Sequence, residues 1–136
     1  MATYEEIPMV TLVTRGAAII PGVVAAGLQS RVKRFVALDA PLTLVSERRY
    51  GEGQIGAILP GMLSDLGDIG HLVSLVTPRP TWIVAGKNMQ GEDLDRKQLI
   101  DSLAYAACIY KINQSRELHV MMADGRKDWL RRVIAS

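Results

Sequence analysis

Four short apolar runs, bounded by proline, glycine or polar residues, are spaced far enough apart for a helix between each pair, and this pattern constrains the chain most. Met9-Val10-Thr11-Leu12-Val13 lies between Pro8 and Thr14-Arg15-Gly16, and predicts a buried strand. Arg34 to Asp39, ended by Ala40-Pro41, predicts a second strand. Pro78-Arg79-Pro80 stops whatever precedes it, and Thr81 to Gly86 predicts a third. Glu117 to Ala123 predicts a fourth, with Leu118, Val120 and Met122 on one face and Asp124-Gly125 as the turn beyond it.

The intervening segments have helical character. Ala17 to Leu28 is rich in Ala, Val and Ile, with Pro21 tolerable only near the helix start. Residues 41–60, with scattered glycines and Arg48-Arg49, predict a loop with at most one helical turn. Leu63, Leu66, Ile69, Leu72, Val73 and Val76 recur at helical spacing, but Gly67 and Gly70 leave one helix or two equally open. Asp93 is expected to cap a helix running to about Ile112, and Trp129, Leu130, Val133 and Ile134 mark a last amphipathic one. Apolar strands joined by helical crossovers specify a parallel sheet covered on both faces. The expected fold is a three-layer α/β/α sandwich with a mostly parallel sheet of about four strands, and residues 1–136 are expected to form one domain.

Composition narrows the function classes. Hydrophobic residues make up 49% of the 136 and charged residues 22%, which is globular rather than disordered. A net charge of +2, from 16 basic and 14 acidic residues, gives no reason to expect a nucleic-acid partner. The apolar stretch from Ala17 to Leu28 is well short of the roughly 20 residues a membrane crossing needs. The N-terminus carries Glu5-Glu6 where a secretory signal would be basic, so a cytoplasmic location is expected. The one cysteine, Cys108, excludes an internal disulfide and is expected to be a buried, inert thiol among Ala106, Ala107 and Ile109. His71 and His119 lie far apart with no paired-ligand spacing, so neither a metal site nor any other cofactor is expected.

Three segments together carry a family resemblance. Leu59-Pro60-Gly61-Met62-Leu63, Asp68-Ile69-Gly70-His71-Leu72 and Pro78-Arg79-Pro80-Thr81-Trp82-Ile83-Val84-Ala85-Gly86 resemble the C-terminal half of acetyl-xylan-esterase-like α/β-hydrolases, and Arg31-Val32-Lys33-Arg34-Phe35-Val36 is similar to the segment after that family's nucleophile helix. The resemblance implies a serine on a tight strand-to-helix elbow, an acid after a later strand and a histidine after the last. Those positions fall here on Gly16, on Met89 and within Asp124-Gly125-Arg126 with Gly125 at the centre, so all three catalytic members are expected to be absent. It also implies further strands flanking the one that corresponds to Met9–Val13. Too little chain precedes Met9 for even one crossover unit, so that strand is expected to be an edge, covered by a second copy or another subunit.

The leading expectation is a non-catalytic, degenerate hydrolase-like module acting as an oligomer or subunit. The alternative is a hydrolase-related enzyme or small-molecule binder with a non-standard site where the strands end, built from Arg15, Gly16, Asp39, Lys87, Asn88 and Asp124. A third possibility is a fragment that needs a separately encoded N-terminal half for stability. Gly16 and Gly22 resemble a phosphate loop, with Asp39 near the place of a ribose-binding acid, but their spacing fits neither dinucleotide nor P-loop patterns and structural glycines are favoured. Arg126-Lys127 and Arg131-Arg132 are expected to be solvated charges beside and along the last helix.

Overall fold

The computed structural model describes residues 8–52 and 59–136. The part of the predicted 41–60 loop spanning 53–58 lies outside the described residues. A four-stranded sheet forms from β1 (Val10–Arg15), β2 (Val32–Leu38), β3 (Thr81–Val84) and β4 (Leu118–Met121), in the spatial order of the sequence. Every neighbouring pair is parallel, with Phe35 opposite Leu12 and Thr81, and Thr81 opposite Leu118. Among the described residues the α-helices are α1 (Ile19–Leu28), α2 (Met62–Asp65), α3 (Ile69–Val73), α4 (Arg96–Ser102), α5 (Ala104–Ile112) and α6 (Trp129–Ala135). The fold is therefore the expected α/β class, with flanking helices around a parallel sheet.

The alternation of side chains along each strand divides the core in two. Phe35, Ala37 and Ile83 face α1, α3, α4 and α5 in the larger cluster, together with Ile19, Val23, Leu99 and Ala106. Val36, Trp82, Val84 and Met121 face the opposite way, where Val133 and Trp129 of α6 cover them. Each fully buried large aliphatic or aromatic side chain contributes roughly 1.5–3 kcal/mol by leaving water.

Three sequence expectations need correction. The first strand is not buried: Val10 and Val13 are over two-fifths exposed, and only Thr14 is buried. The physical reason is its place at the end of the sheet, where β2 is its sole strand partner among the described residues. The helix expected from Asp93 to Ile112 is two helices. Asp95 caps α4 in a reciprocal arrangement with Gln98, and the chain breaks at Leu103 before α5. A Cβ at Gly70 of α3 would lie 2.1 Å from the Ser102 carbonyl oxygen, so only glycine lets α3 come this close to the break. Cys108 lies on the exposed side of α5 rather than in the core, because Ala106 and Tyr110 supply the buried stripe.

Arg79 ties the start of the sheet together. Its guanidinium donates to the carbonyls of Gln29 (2.9 Å), Val32 (2.7 Å), Gly27 (3.3 Å) and Val76 (3.3 Å), so it spans the end of α1, the first residue of β2 and the turn after α3. The Tyr110 hydroxyl donates to the Arg79 carbonyl at 2.8 Å and lies 2.7 Å from the Thr81 hydroxyl. Burial, only partly offset by that hydroxyl contact, pushes the Tyr110 phenol above its ordinary value. Lysine cannot reproduce the planar fork. Arg79→Lys is predicted to cost about 1.5–3 kcal/mol, measured as a lower urea midpoint with an unchanged slope. An unshifted midpoint would show that these carbonyls are satisfied without the guanidinium.

Candidate functional site

The C-terminal ends of all four strands meet in one charged network. Arg15, the last residue of β1, reaches Asp39 just beyond β2, with Nη2 3.1 Å from Oδ2. Arg126, in the 3-10 turn Ala123–Lys127 after β4, donates Nε to the other Asp39 oxygen at 2.5 Å and Nη2 to Asp93. Lys87, three residues past the end of β3, donates Nζ to Asp93 at 2.9 Å and to the Gly91 carbonyl at 3.1 Å. Asp39 is thus shared by two guanidiniums and Asp93 by a guanidinium and an ammonium.

The backbone explains why these groups converge. Gly16, Asp39 and Ala85 follow three adjacent strands, and all have positive φ (59°, 50° and 54°). For Asp39 and Ala85 this is a strained conformation, costing roughly 1–3 kcal/mol each, of the kind that persists where surrounding contacts determine it. The Asp39 amide donates to Val84 O (3.0 Å) and the Ala85 amide to Met121 O (2.9 Å), which continues the ladder past each strand end. Asp39 keeps only 14% of its side chain exposed, whereas its partner Arg15 is 78% exposed.

The hydrogen bond from Lys87, helped by Arg126, holds the Asp93 carboxyl below its usual range, and Asp39 raises the Arg126 guanidinium. Beside this network lies a second one. Arg48 forms a fork on Glu92 (2.7 and 3.1 Å), and Asn88 Nδ2 donates to the same carboxylate at 2.7 Å. Arg48, then Asn88, lowers the Glu92 carboxyl from 4.5 to about 2.

The sequence-derived candidates divide accordingly. Arg15, Asp39 and Lys87 are brought together, with Gly16 at the adjoining corner. Asn88 instead shapes its own turn, its Oδ1 accepting from the amides of Gln90 and Glu92. Asp124 is exposed in the 3-10 turn and bonds to none of the network residues. Arg126 and Asp93 join the network from outside the sequence-derived candidates. Arg126, expected as a solvated charge, is drawn in by Asp39, and Asp93, expected as a helix cap, is occupied by Lys87 and Arg126. Gly22 is a packing glycine: a Cβ there would lie 2.2 Å from Thr14 Cγ2. His71 completes the cap of α3, its Nδ1 accepting from the Asp68 amide at 3.1 Å, and its ring packs on Tyr105. His119 stacks on Trp82 at 4.2 Å and pairs with Glu117. Among the described residues no group of three potential metal ligands occurs, and no helix is long and apolar enough to cross a membrane.

Chemically, the network consists of three cations and two carboxylates, with no hydroxyl, thiol or imidazole among its bonded members. It joins strand ends electrostatically, with Arg15 as its most exposed member. No protein-family model and no curated protein matches the sequence. Among solved structures, the fold is similar to a CE15 glucuronoyl esterase from Teredinibacter turnerae T7901, with a TM-score of 0.59 and 11% identity, over 92% of this chain and 40% of that one. At that identity the likeness shows the fold, a distant esterase-like α/β-hydrolase architecture, and the chain spans less than half of that protein's length.

Two predictions test the networks. Arg126→Met leaves the largely buried Asp39 with one exposed partner and is predicted to cost about 1–2 kcal/mol; in Asp39→Asn the same change costs less, as a double-mutant cycle would record. Equal costs in both backgrounds would show that the pair contributes nothing. Because the Glu92 carboxyl is lowered in the fold, its pairing stabilises above about pH 4.5 and that contribution disappears as the pH falls towards 2. Arg48→Ala is therefore predicted to flatten the melting-temperature profile between those limits, by a small amount because both side chains are exposed. Parallel profiles for the two proteins would contradict it.

Proposed function

We propose that this chain is a non-catalytic α/β-hydrolase-like module that works as an oligomer or as a subunit of a larger assembly. The observation that carries the reading is Gly16. It occupies the sharp strand-to-helix corner after β1 with φ of 59°, where the resembled family presents its nucleophile, and has no side chain to attack with. A Cβ built there meets nothing within 4 Å, so the corner has room for a hydroxyl that the chain does not carry.

Two further positions support it. Met89, at the place of the acid, is fully buried in the larger core. Gly125, at the place of the histidine, packs on Met121, whose Cε would lie 2.7 Å from an added Cβ. The loops that carry these corners are tied together by the Asp39–Arg126–Asp93–Lys87 ion pairs. The edge position of β1 supports the need for company, since Val10 and Val13 remain exposed on a strand whose outer side meets no strand partner among the described residues.

A second reading rests on the two strained strand ends, Asp39 and Ala85, beside the exposed Arg15: a binder of small anions at the strand tips. A thermal-shift screen of nucleotides, acyl esters and sugars separates the two, since the first reading predicts no shift that depends on Arg15.

The wild-type protein is predicted not to hydrolyse p-nitrophenyl acetate above the buffer rate, and Gly16→Ser to remain inactive while costing about 1–2 kcal/mol through its left-handed backbone. Turnover that disappears on substituting a single residue would overturn the non-catalytic reading. In static light scattering at micromolar concentrations, self-association through β1 is predicted to give a species larger than one chain, and Val13→Lys to dissociate it. A monomer throughout would remove the oligomer version.

A further inference from the structure

The opposite end of the sheet carries a feature that the module reading does not use. A groove of about 560 Å³ runs between the outer side of β4 and the α4–α5 pair, floored by Leu103, Ala107, Leu118 and Val120. A smaller hollow of about 160 Å³ continues it past Val120 and Ile100 to Met122 and Arg96. Together they follow β4 along its length.

Backbone geometry makes this more than an apolar trough. Thr81 and Ala85 of the β3 segment donate to the carbonyls of Glu117 and Met121, so the odd-numbered residues of β4 turn their polar backbone groups inward to β3. By the alternation of a strand, Leu118 and Val120 turn their N–H and C=O outward. β4 is the last strand in the sheet, with β3 as its strand partner among the described residues. The residues whose side chains line the groove are therefore the same ones whose outward backbone donors and acceptors meet no strand partner among the described residues.

Charge decides what fits. The lining includes Lys111 and Arg116 at the end where β4 begins and Arg96 at the other, and no aspartate or glutamate. Among the described residues none of these three cations is paired with a carboxylate. The nearby Glu117 is directed to His119 on the other face of the sheet. The helix-end carbonyls of Ile109, Tyr110 and Lys111 accept from Asn113, Ser115 and Gln114, so they do not present free acceptors to an incoming anion.

We propose that this groove binds an extended peptide that adds as a strand to β4, with alternate apolar side chains in the groove and carboxylates at its flanks. Main-chain bonds to Leu118 and Val120 would supply affinity, the apolar floor would select side chains by alternation, and the cations at the two ends would select the flanking charges. Four residues of strand span about 13 Å, which sets a recognised core of about four to six residues.

The test uses the full chain and three acetylated heptapeptides that alternate valine and threonine: one flanked by glutamates, one by lysines, and one glutamate-flanked but N-methylated on the face that would bond to β4. Binding is read by fluorescence anisotropy, and the site by amide shifts in two-dimensional NMR. The glutamate peptide is expected to bind at least about tenfold more tightly than the lysine peptide, and N-methylation to weaken it by a similar factor. The largest shifts are expected at Leu118 and Val120. The exposed double substitution Lys111→Glu with Arg116→Glu is expected to reverse the charge preference while leaving the NMR fingerprint folded. Equal affinity for the two charge types overturns the proposal, as does full retention of affinity by the N-methylated peptide, which would indicate a groove for small amphiphiles. Shifts confined to β1, absence of binding at millimolar peptide, or self-association abolished by Val120→Lys, which would make a second copy the occupant, each overturn it too.

Discussion

The single guanidinium of Arg79 holds together the part of the fold that everything else is built on. In a parallel sheet each strand must be re-entered from the same end, so the crossovers crowd their carbonyls at the strand starts. Arg79 gathers four of these carbonyls from α1, β2 and the turn after α3, and Tyr110 from α5 bonds to its own backbone. A planar donor suits this corner because it bonds in several directions at once while remaining only partly buried. With the entry end fixed in this way, the strands deliver their other ends to one place in register.

At that exit end three consecutive strands leave through positive-φ residues, of which the first is glycine and the second an aspartate committed to two arginines. The carboxylates are balanced by cations, with Asp39 the most buried member of the network and Arg15 the most exposed. Such an arrangement holds the strand-exit loops to one another.

Much of the architecture was legible in the sequence, because Pro8, Pro41, Pro78 and Gly16 punctuate apolar runs whose composition admits little besides strands. What escaped was set by distant partners. Asp93 and Asp95 are both plausible caps; only the fold brings Lys87 and Arg126 to the first and leaves the second for α4. The break at Leu103 depends on the close approach of Gly70 in α3, which no local spacing encodes. Cys108 sits among alanines that resemble a core stripe, but Tyr110 and Ala106 fix the helix rotation that turns it outward. Of the six candidate site residues, Arg15, Asp39 and Lys87 converge because open parallel sheets bring strand exits together, whereas Asn88 and Asp124 fall within turns whose shape their neighbours decide.

The bonds from the Asp39 and Ala85 amides to the next strand over have a consequence for how the molecule opens. Because each tip is latched to its neighbour's final carbonyl, the tips of β2, β3 and β4 cannot fray one at a time. Their amide protons should exchange with solvent as a single cooperative block, while Arg15, at the free margin of β1, lies outside that latch and belongs to the segment that loosens first.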